Sequence, residues 1–168
     1  MDQEVKMRTR ILQKAFSLFL RRGFTRVTTQ DIASALGISK KTLYKYYSSK
    51  HEIVSTAIEQ NLEGLGARID GIMQHGEWGF NEKFAQILML IHKQVSSISE
   101  IFLEDMARHI PDVWAKIDSF RRERVLGVLH QLMREGQSEG AVREDIDLGA
   151  VLFLLFGTIN KSITPERL

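Results

Sequence analysis

"VTTQDIASALGISKKTLYKYYSSKHEI" spans Val27 to Ile53 and sets a glycine inside an apolar-periodic run, followed by lysines, tyrosines and a threonine. Two helices that cross steeply at a tight turn require small and apolar residues at set offsets. The first helix must carry a small side chain where the backbones approach, and Ala33 stands there. The turn needs a positive backbone dihedral, which glycine adopts without a Cβ clash, and Gly37 follows four residues later. An apolar residue of the second helix must plug the angle, and Leu43 lies six residues beyond the glycine. Ile32, Leu36 and Ile38 complete the wedge. The spacing predicts a helix-turn-helix.

The remaining residues of the short second helix, Lys40, Lys41, Thr42, Tyr44, Lys45 and Tyr46, face outward in this arrangement. A helix entering the major groove presents early residues to base edges and its flanks to phosphate. Lysine brings charge and can donate to guanine; threonine can hydrogen-bond or touch the thymine methyl. Tyrosine hydroxyls reach phosphate oxygens. Thr29 and Gln30 open the preceding helix, where free backbone amides favour an anion, and Lys50 adds an ammonium at the start of the next one. The same turn could also join packed helices that never meet nucleic acid.

Outward from this stretch, helical periodicity dominates and no alternating strand pattern stands out. A first helix is expected over about Met7 to Arg22, with Ile11, Leu12, Ala15, Phe16, Phe19 and Leu20 on one stripe and Gly23 as its stop. Thr28 with Asp31 caps a helix over about Thr29 to Leu36, and Ser39 caps one over about Lys40 to Tyr46. Ser49 and Glu52 stand at capping-box spacing before a fourth helix that runs to about His75, with a break or bend expected at Gly64 and Gly66. Further helices are expected at about Asn81–Ser97, Ser99–Arg108, Asp112–Gln137 and Asp147–Ser162.

The 168 residues carry a net charge of only +2, which hides an asymmetry. Residues 1–50 hold 11 Lys/Arg against 3 Asp/Glu, a net of +8; residues 51–168 hold 12 against 18, a net of −6. A basic head on an acidic body points to a polyanionic partner for the head. The absence of cysteine excludes disulfides and thiolate-bound zinc, and a reducing cytoplasm fits. The charged start "MDQEVKMRTR" does not read as a signal peptide, and the apolar run "GAVLFLLFGTI" is too short to span a bilayer, so no membrane role is expected.

The segment "TTQDIASALGISKKTLYKYYSSKHEI", preceded by "AFSLFLRRGFTRV", resembles the N-terminal domain of TetR-family (tetracycline-repressor-like) regulators. Gly23, Phe24, Thr28, Ile32, Ala33, Gly37, Ser39, Thr42, Leu43, Tyr44, Tyr46, Tyr47, Lys50 and Ile53 carry the likeness, over about residues 8–58. The resemblance implies DNA contacts from Thr29, Gln30, Lys40, Lys41, Thr42, Tyr44, Lys45, Tyr46 and Lys50, with Tyr47 in a buried aromatic position. Many members have glycine or a small residue at the site of Lys41, so this chain departs there. The expected architecture is all-α: residues 1–50 form a three-helix helix-turn-helix domain, and 51–168 a larger helical domain for ligand binding and dimerisation. The resemblance also implies one more helix, which would start where "SITPERL" stands.

The run "LGAVLFLLFGTI" is apolar on every side, as a helix buried on all faces must be. One face is assigned to a partner subunit through Leu148, Val151, Leu152, Leu155, Phe156 and Ile159, with an intramolecular core helix as the alternative. A pocket for a small apolar effector is expected among the central helices, with Phe84, Leu88, Ile91, Phe102, Met106, Trp114, Leu126 and His130 as candidates. Each of these could equally be ordinary packing. His92, His109 and His130 could orient a polar group of a ligand.

Enzyme readings lack parts. There is no cysteine nucleophile, no Gly-x-Ser-x-Gly, no phosphate-binding glycine loop, and "HEIVS" lacks the second histidine of a zinc helix. "DIDLG" starts like a calcium loop, but its glycine comes one position early and Phe156 stands where the bidentate acid belongs. No cofactor and no metal are expected. The expectation is a ligand-responsive regulator, most simply a repressor, that binds a palindromic duplex as a homodimer. A constitutive DNA-binding protein without an effector is one alternative. The other is a helical carrier or scaffold whose basic head meets a protein or membrane surface.

Overall fold

The computed structural model describes residues 3–151 and Leu154, and among these there is no strand. The helices are α1 (Gln3–Arg22), α2 (Thr29–Leu36), α3 (Lys40–Tyr46), α4 (Lys50–Met73), α5 (Phe80–Ser96), α6 (Glu100–His109), α7 (Pro111–Ser119), a π-helical stretch (Phe120–Val125) and α8 (Leu126–Ser138). The all-α architecture with an N-terminal helix-turn-helix followed by helices is thus the observed one. Residues 148–151 begin another helix, whose first amides at Gly149 and Ala150 donate to the Asp147 carboxylate.

Packing divides the chain into two compact units: residues 1–61 with 97–116, and residues 62–96 with 117–168. The division follows packing and not charge, so α6 and the start of α7 group with the first three helices. Helix α4 contributes its first half to one unit and its second half to the other.

The first unit is organised on the stripe of α1, where Ile11, Leu12, Ala15, Leu18 and Phe19 are buried. Val27, Ile32, Ala33, Leu43, Tyr47, Ile53 and Val54 join them from α2, α3 and α4 and the connections between them. Phe102 and Met106 of α6 are also buried, and the Ser99 amide donates to the Leu20 carbonyl at 3.2 Å. Gly23 ends α1 at φ +82°. A Cβ there would lie 2.6 Å from Ile101 Cγ2 and 2.7 Å from Asp105 Oδ2, so glycine is required by conformation and by space.

The second unit centres on Leu65, Ile69, Phe80, Ile87, Val128, Leu129, Leu132 and Met133. Its ties are long in sequence. The Glu139 carboxylate accepts from the Phe80 amide at 3.0 Å and so caps the start of α5, Lys83 pairs with Glu135 at 3.6 Å, and Arg124 pairs with Asp70. Leu148 and Val151, two residues of the expected dimer face, pack half-buried against this cluster, while Leu152, Leu155, Phe156 and Ile159 lie outside the described residues.

Two expectations need correction. Helix α4 runs without a break through Gly64 and Gly66; the space beside Gly66 is taken by the Phe120 ring, 3.7 Å from where a Cβ would be. The single helix expected over 112–137 is interrupted by the π-helical stretch at 120–125. Such a stretch accommodates an extra residue and re-aims the side chains that follow. Here it coincides with Phe120 against Gly66 and Arg124 on Asp70, partners that periodicity alone does not reveal.

Candidate nucleic-acid interface

The helix-turn-helix is built from short-range bonds. The Thr28 side chain accepts from the Asp31 amide while the Asp31 carboxylate accepts from the Thr28 amide at 2.8 Å, a reciprocal capping box that starts α2. Helix α2 ends at Gly37, φ +69°, with the Gly37 amide bonded to the Ser34 carbonyl at 3.1 Å and the Ile38 amide to the Ala33 carbonyl at 3.0 Å. That pair of bonds is the Schellman closure, and only a left-handed residue makes it without strain. Ser39 Oγ then accepts from the Thr42 amide at 3.0 Å and starts α3. Between the helices Ala33 and Leu43 are fully buried, as the wedge geometry demands.

At the start of α4 the expected capping box is half formed. Ser49 Oγ accepts from the Glu52 amide at 3.0 Å, but the Glu52 carboxylate accepts from the amide and hydroxyl of Ser48 instead, at 2.6 and 2.7 Å. Those bonds hold the Glu52 carboxyl below the ordinary glutamate range. The Thr28 side chain and amide likewise lower the Asp31 carboxyl.

Lys40, Lys41 and Lys45 are exposed along α3, and Tyr44 is 43% exposed between them. The Lys40 ammonium lies 5.8 Å from the centre of the Tyr44 ring. Thr42 and Tyr46 are half-buried, and Thr42 Oγ1 lies 2.8 Å from Ser39 Oγ. On α2, Gln30 is exposed and donates to Ser34 Oγ at 3.1 Å. Thr29 is buried, its hydroxyl 3.3 Å from the Tyr44 hydroxyl, so the tyrosine tip sits at the start of α2. The fold therefore gathers Thr29, Gln30, Lys40, Lys41, Tyr44 and Lys45 around one helix and the start of its neighbour.

Lys50 is placed differently. Its ammonium donates to the carbonyls of Phe24 and Val27 at 2.9 and 3.0 Å and lies 4.1 Å from the centre of the Phe24 ring. Burial lowers its pKa below the usual lysine range, against an opposing pull from Asp105. Lys50 thus ties down the loop between α1 and α2.

Two positioning residues carry no sequence signal of their role. Arg8 donates to the Tyr46 carbonyl at 2.8 Å, at the C-terminal end of α3 where a cation suits the helix dipole, and its guanidinium lies 5.4 Å from the centre of the buried Tyr47 ring. Asp105 of α6 is 8% exposed and accepts from the Thr25 amide at 2.7 Å and the Thr25 hydroxyl at 2.8 Å. A bond spanning 80 residues leaves no local signature.

The eight effector-pocket candidates do not form one group by packing. Phe102, Met106 and Trp114 belong to the first unit, where Phe102 and Met106 are core; Phe84, Leu88, Ile91, Leu126 and His130 belong to the second. Phe84 and Ile91 pack against its core cluster, Leu126 is half-buried, and Leu88 and His130 are exposed. None of the eight lines a cavity of about 570 Å³ in the second unit, whereas His130 lines another of about 400 Å³ there.

Residues 11–57 match the model of "bacterial regulatory proteins, tetR family". The chain is 31% identical over 160 residues to the HTH-type transcriptional regulator YvaF of Bacillus subtilis, covering 95% of this chain and 83% of that one. It is 25% identical over 155 residues to the HTH-type transcriptional repressor KstR2 of Mycolicibacterium smegmatis, covering 89% and 74%. Among solved structures, a transcriptional regulator from Saccharomonospora viridis in complex with choline shares the fold, with a TM-score of 0.77 and 24% identity over 94% of this chain and 83% of that one.

Proposed function

The chain belongs to the tetR family of bacterial regulatory proteins, and on that premise we propose that it is a ligand-responsive repressor that binds a palindromic operator as a homodimer. The observation that carries the reading is the division of α3. Leu43 is fully buried and locks the helix to α2, whereas Lys40, Lys41, Tyr44 and Lys45 are exposed, three of them lysines on a helix of seven residues. Positive side chains on a rigidly capped helix fit phosphate and guanine edges in the major groove.

In this account Lys40, Lys41 and Lys45 carry charge to the duplex, with Lys41 placed to influence base preference. Tyr44 and Gln30 contact backbone beside them, and the first amides of α2, beside Thr29, face a phosphate. Thr42 and Tyr46 contact at the edges. Lys50 spends two of its three N–H groups on the loop carbonyls and has one left for phosphate. Repression is favoured by the likeness to KstR2, and a small-molecule effector by the choline held by the structural neighbour. A two-fold dimer would present two copies of α3 about 34–36 Å apart, one DNA turn, for the two half-sites of a palindrome. An effector releases such a dimer only if it binds the released conformer more tightly.

Selection of bound duplexes from a random pool tests the proposal. A palindromic consensus is expected. Enrichment of no sequence, with binding instead to anionic vesicles, would favour a surface-binding scaffold.

A further inference from the structure

The cavity of about 570 Å³ in the second unit is lined from the second half of α4, from α5 and from the loop that joins them. The lining residues are 68, 71 and 72 of α4, 75 and 78 of the loop, and 86, 89, 90, 92 and 93 of α5. Arg68, His92 and Lys93 bring basic side chains to this lining, and His75 and Trp78 bring aromatic rings. Ile72, Leu90 and Met89 bring apolar side chains, and Met89 is 64% exposed. The His75 and Trp78 rings stack at 3.8 Å, 9° from parallel, and make a flat apolar wall. His75 Nδ1 is buried there without a hydrogen-bond partner. Arg68, Gln86, His92 and Lys93 are the other polar residues of the lining, and no carboxylate lines the cavity.

We propose that this groove binds a small anionic amphiphile, its charged head drawn to the basic side chains Arg68 and Lys93 and its apolar body to Ile72, Leu90 and Trp78. The volume suits a drug-sized molecule, and apolar walls with a few convergent polar groups are what such sites present. A cation would meet like charge and no counter-ion. An uncharged apolar body would leave the basic side chains unused. Binding stands on the groove itself; its effect on DNA rests on the repressor reading.

The probes are 8-anilinonaphthalene-1-sulfonate, an aromatic body with a sulfonate, its uncharged relative N-phenyl-1-naphthylamine, and choline. Binding is read by probe fluorescence, by quenching of Trp78 and, for choline, by calorimetry. The Arg68→Gln/Lys93→Gln variant keeps the long stems of two exposed side chains, and a matched thermal melt confirms its fold. The sulfonate is expected to bind the wild type and to lose about tenfold or more in the variant, the scale of lost charge-assisted bonds. The uncharged probe is expected to change by less than about twofold, since it makes no such bond. Choline is expected not to bind. Equal loss of both naphthyl probes, no loss of the sulfonate, or choline binding that the variant strengthens would overturn the proposal. Release of the selected operator by the sulfonate is a separate readout: sulfonate binding without release keeps the site and removes its assignment as the repressor's effector site.

Discussion

The two compact units are held by bonds of different reach. In the first, the starts of α2, α3 and α4 are each secured within four residues by Thr28 with Asp31, by Ser39, and by Ser48 and Ser49 with Glu52. In the second, the start of α5 waits for Glu139, 59 residues away, and Asp70 of α4 for Arg124, 54 residues away. Local bonds therefore set where α2, α3 and α4 begin. Distant bonds also tie the first unit: Asp105 reaches back from α6 to the α1–α2 loop, Arg8 to the Tyr46 carbonyl, and the Ser99 amide to the Leu20 carbonyl.

The largest effect should come from the plug between α2 and α3. Leu43→Ala removes a fully buried side chain and is expected to cost about 2–5 kcal/mol by chemical denaturation. A loss below about 1 kcal/mol would remove Leu43 from the core and weaken the claim of a rigid head.

Asp105→Ala comes next. It leaves the Thr25 amide and hydroxyl without their acceptor and is expected to cost about 2–3 kcal/mol. It should also weaken operator binding, because the loop it anchors lies between α1 and α2. An unchanged melt would show that the bond is dispensable.

The two left-handed glycines sharpen the contrast between local and distant demands. Gly37→Ala meets open space and carries only the backbone penalty, about 1 kcal/mol. Gly23→Ala adds a collision with Ile101 and Asp105, so a total of about 2 kcal/mol or more is expected. Equal melting shifts for the pair would contradict the close approach of α6.

The smallest effect tests the caps by pH. The Ser48 hydroxyl and amide lower the Glu52 carboxyl in the fold, so its contribution is complete above the ordinary glutamate range and fades as pH falls through the lowered value. Thermal melts of wild type and Glu52→Gln should differ near neutrality and converge in acid. A gap constant down to acid pH would mean that the charge is irrelevant.

The same contrast governs what could be read from residues alone. The bounds of α2 and α3 were legible because Thr28, Gly37 and Ser39 act on their own backbone within a turn. Burial of Leu43 and Tyr47 followed from spacing and from the family likeness. The inward turn of Lys50 was not legible, because its acceptors are carbonyls of Phe24 and Val27, and carbonyls carry no sequence signature. Arg8 and Asp105 escaped for a related reason, since each acts on backbone far away in sequence. In the second unit, apolar periodicity marked helices but not which faces meet. Periodicity does not distinguish Phe84 and Ile91, which pack against the core cluster, from groove residues, and it gives no sign that Arg68, Trp78 and Lys93 share one lining.

The central claim is that α3 meets duplex DNA through its exposed lysines. The direct measurement is affinity for the selected duplex across a series of salt concentrations, for the wild type and for Lys40→Ala/Lys41→Ala/Lys45→Ala. Steep weakening with salt is predicted for the wild type. For the variant, affinity should be lower and the slope shallower by about 1 for each phosphate that a lysine no longer neutralises, at an unchanged melting temperature. Equal affinity and equal slope for the two proteins would contradict the claim.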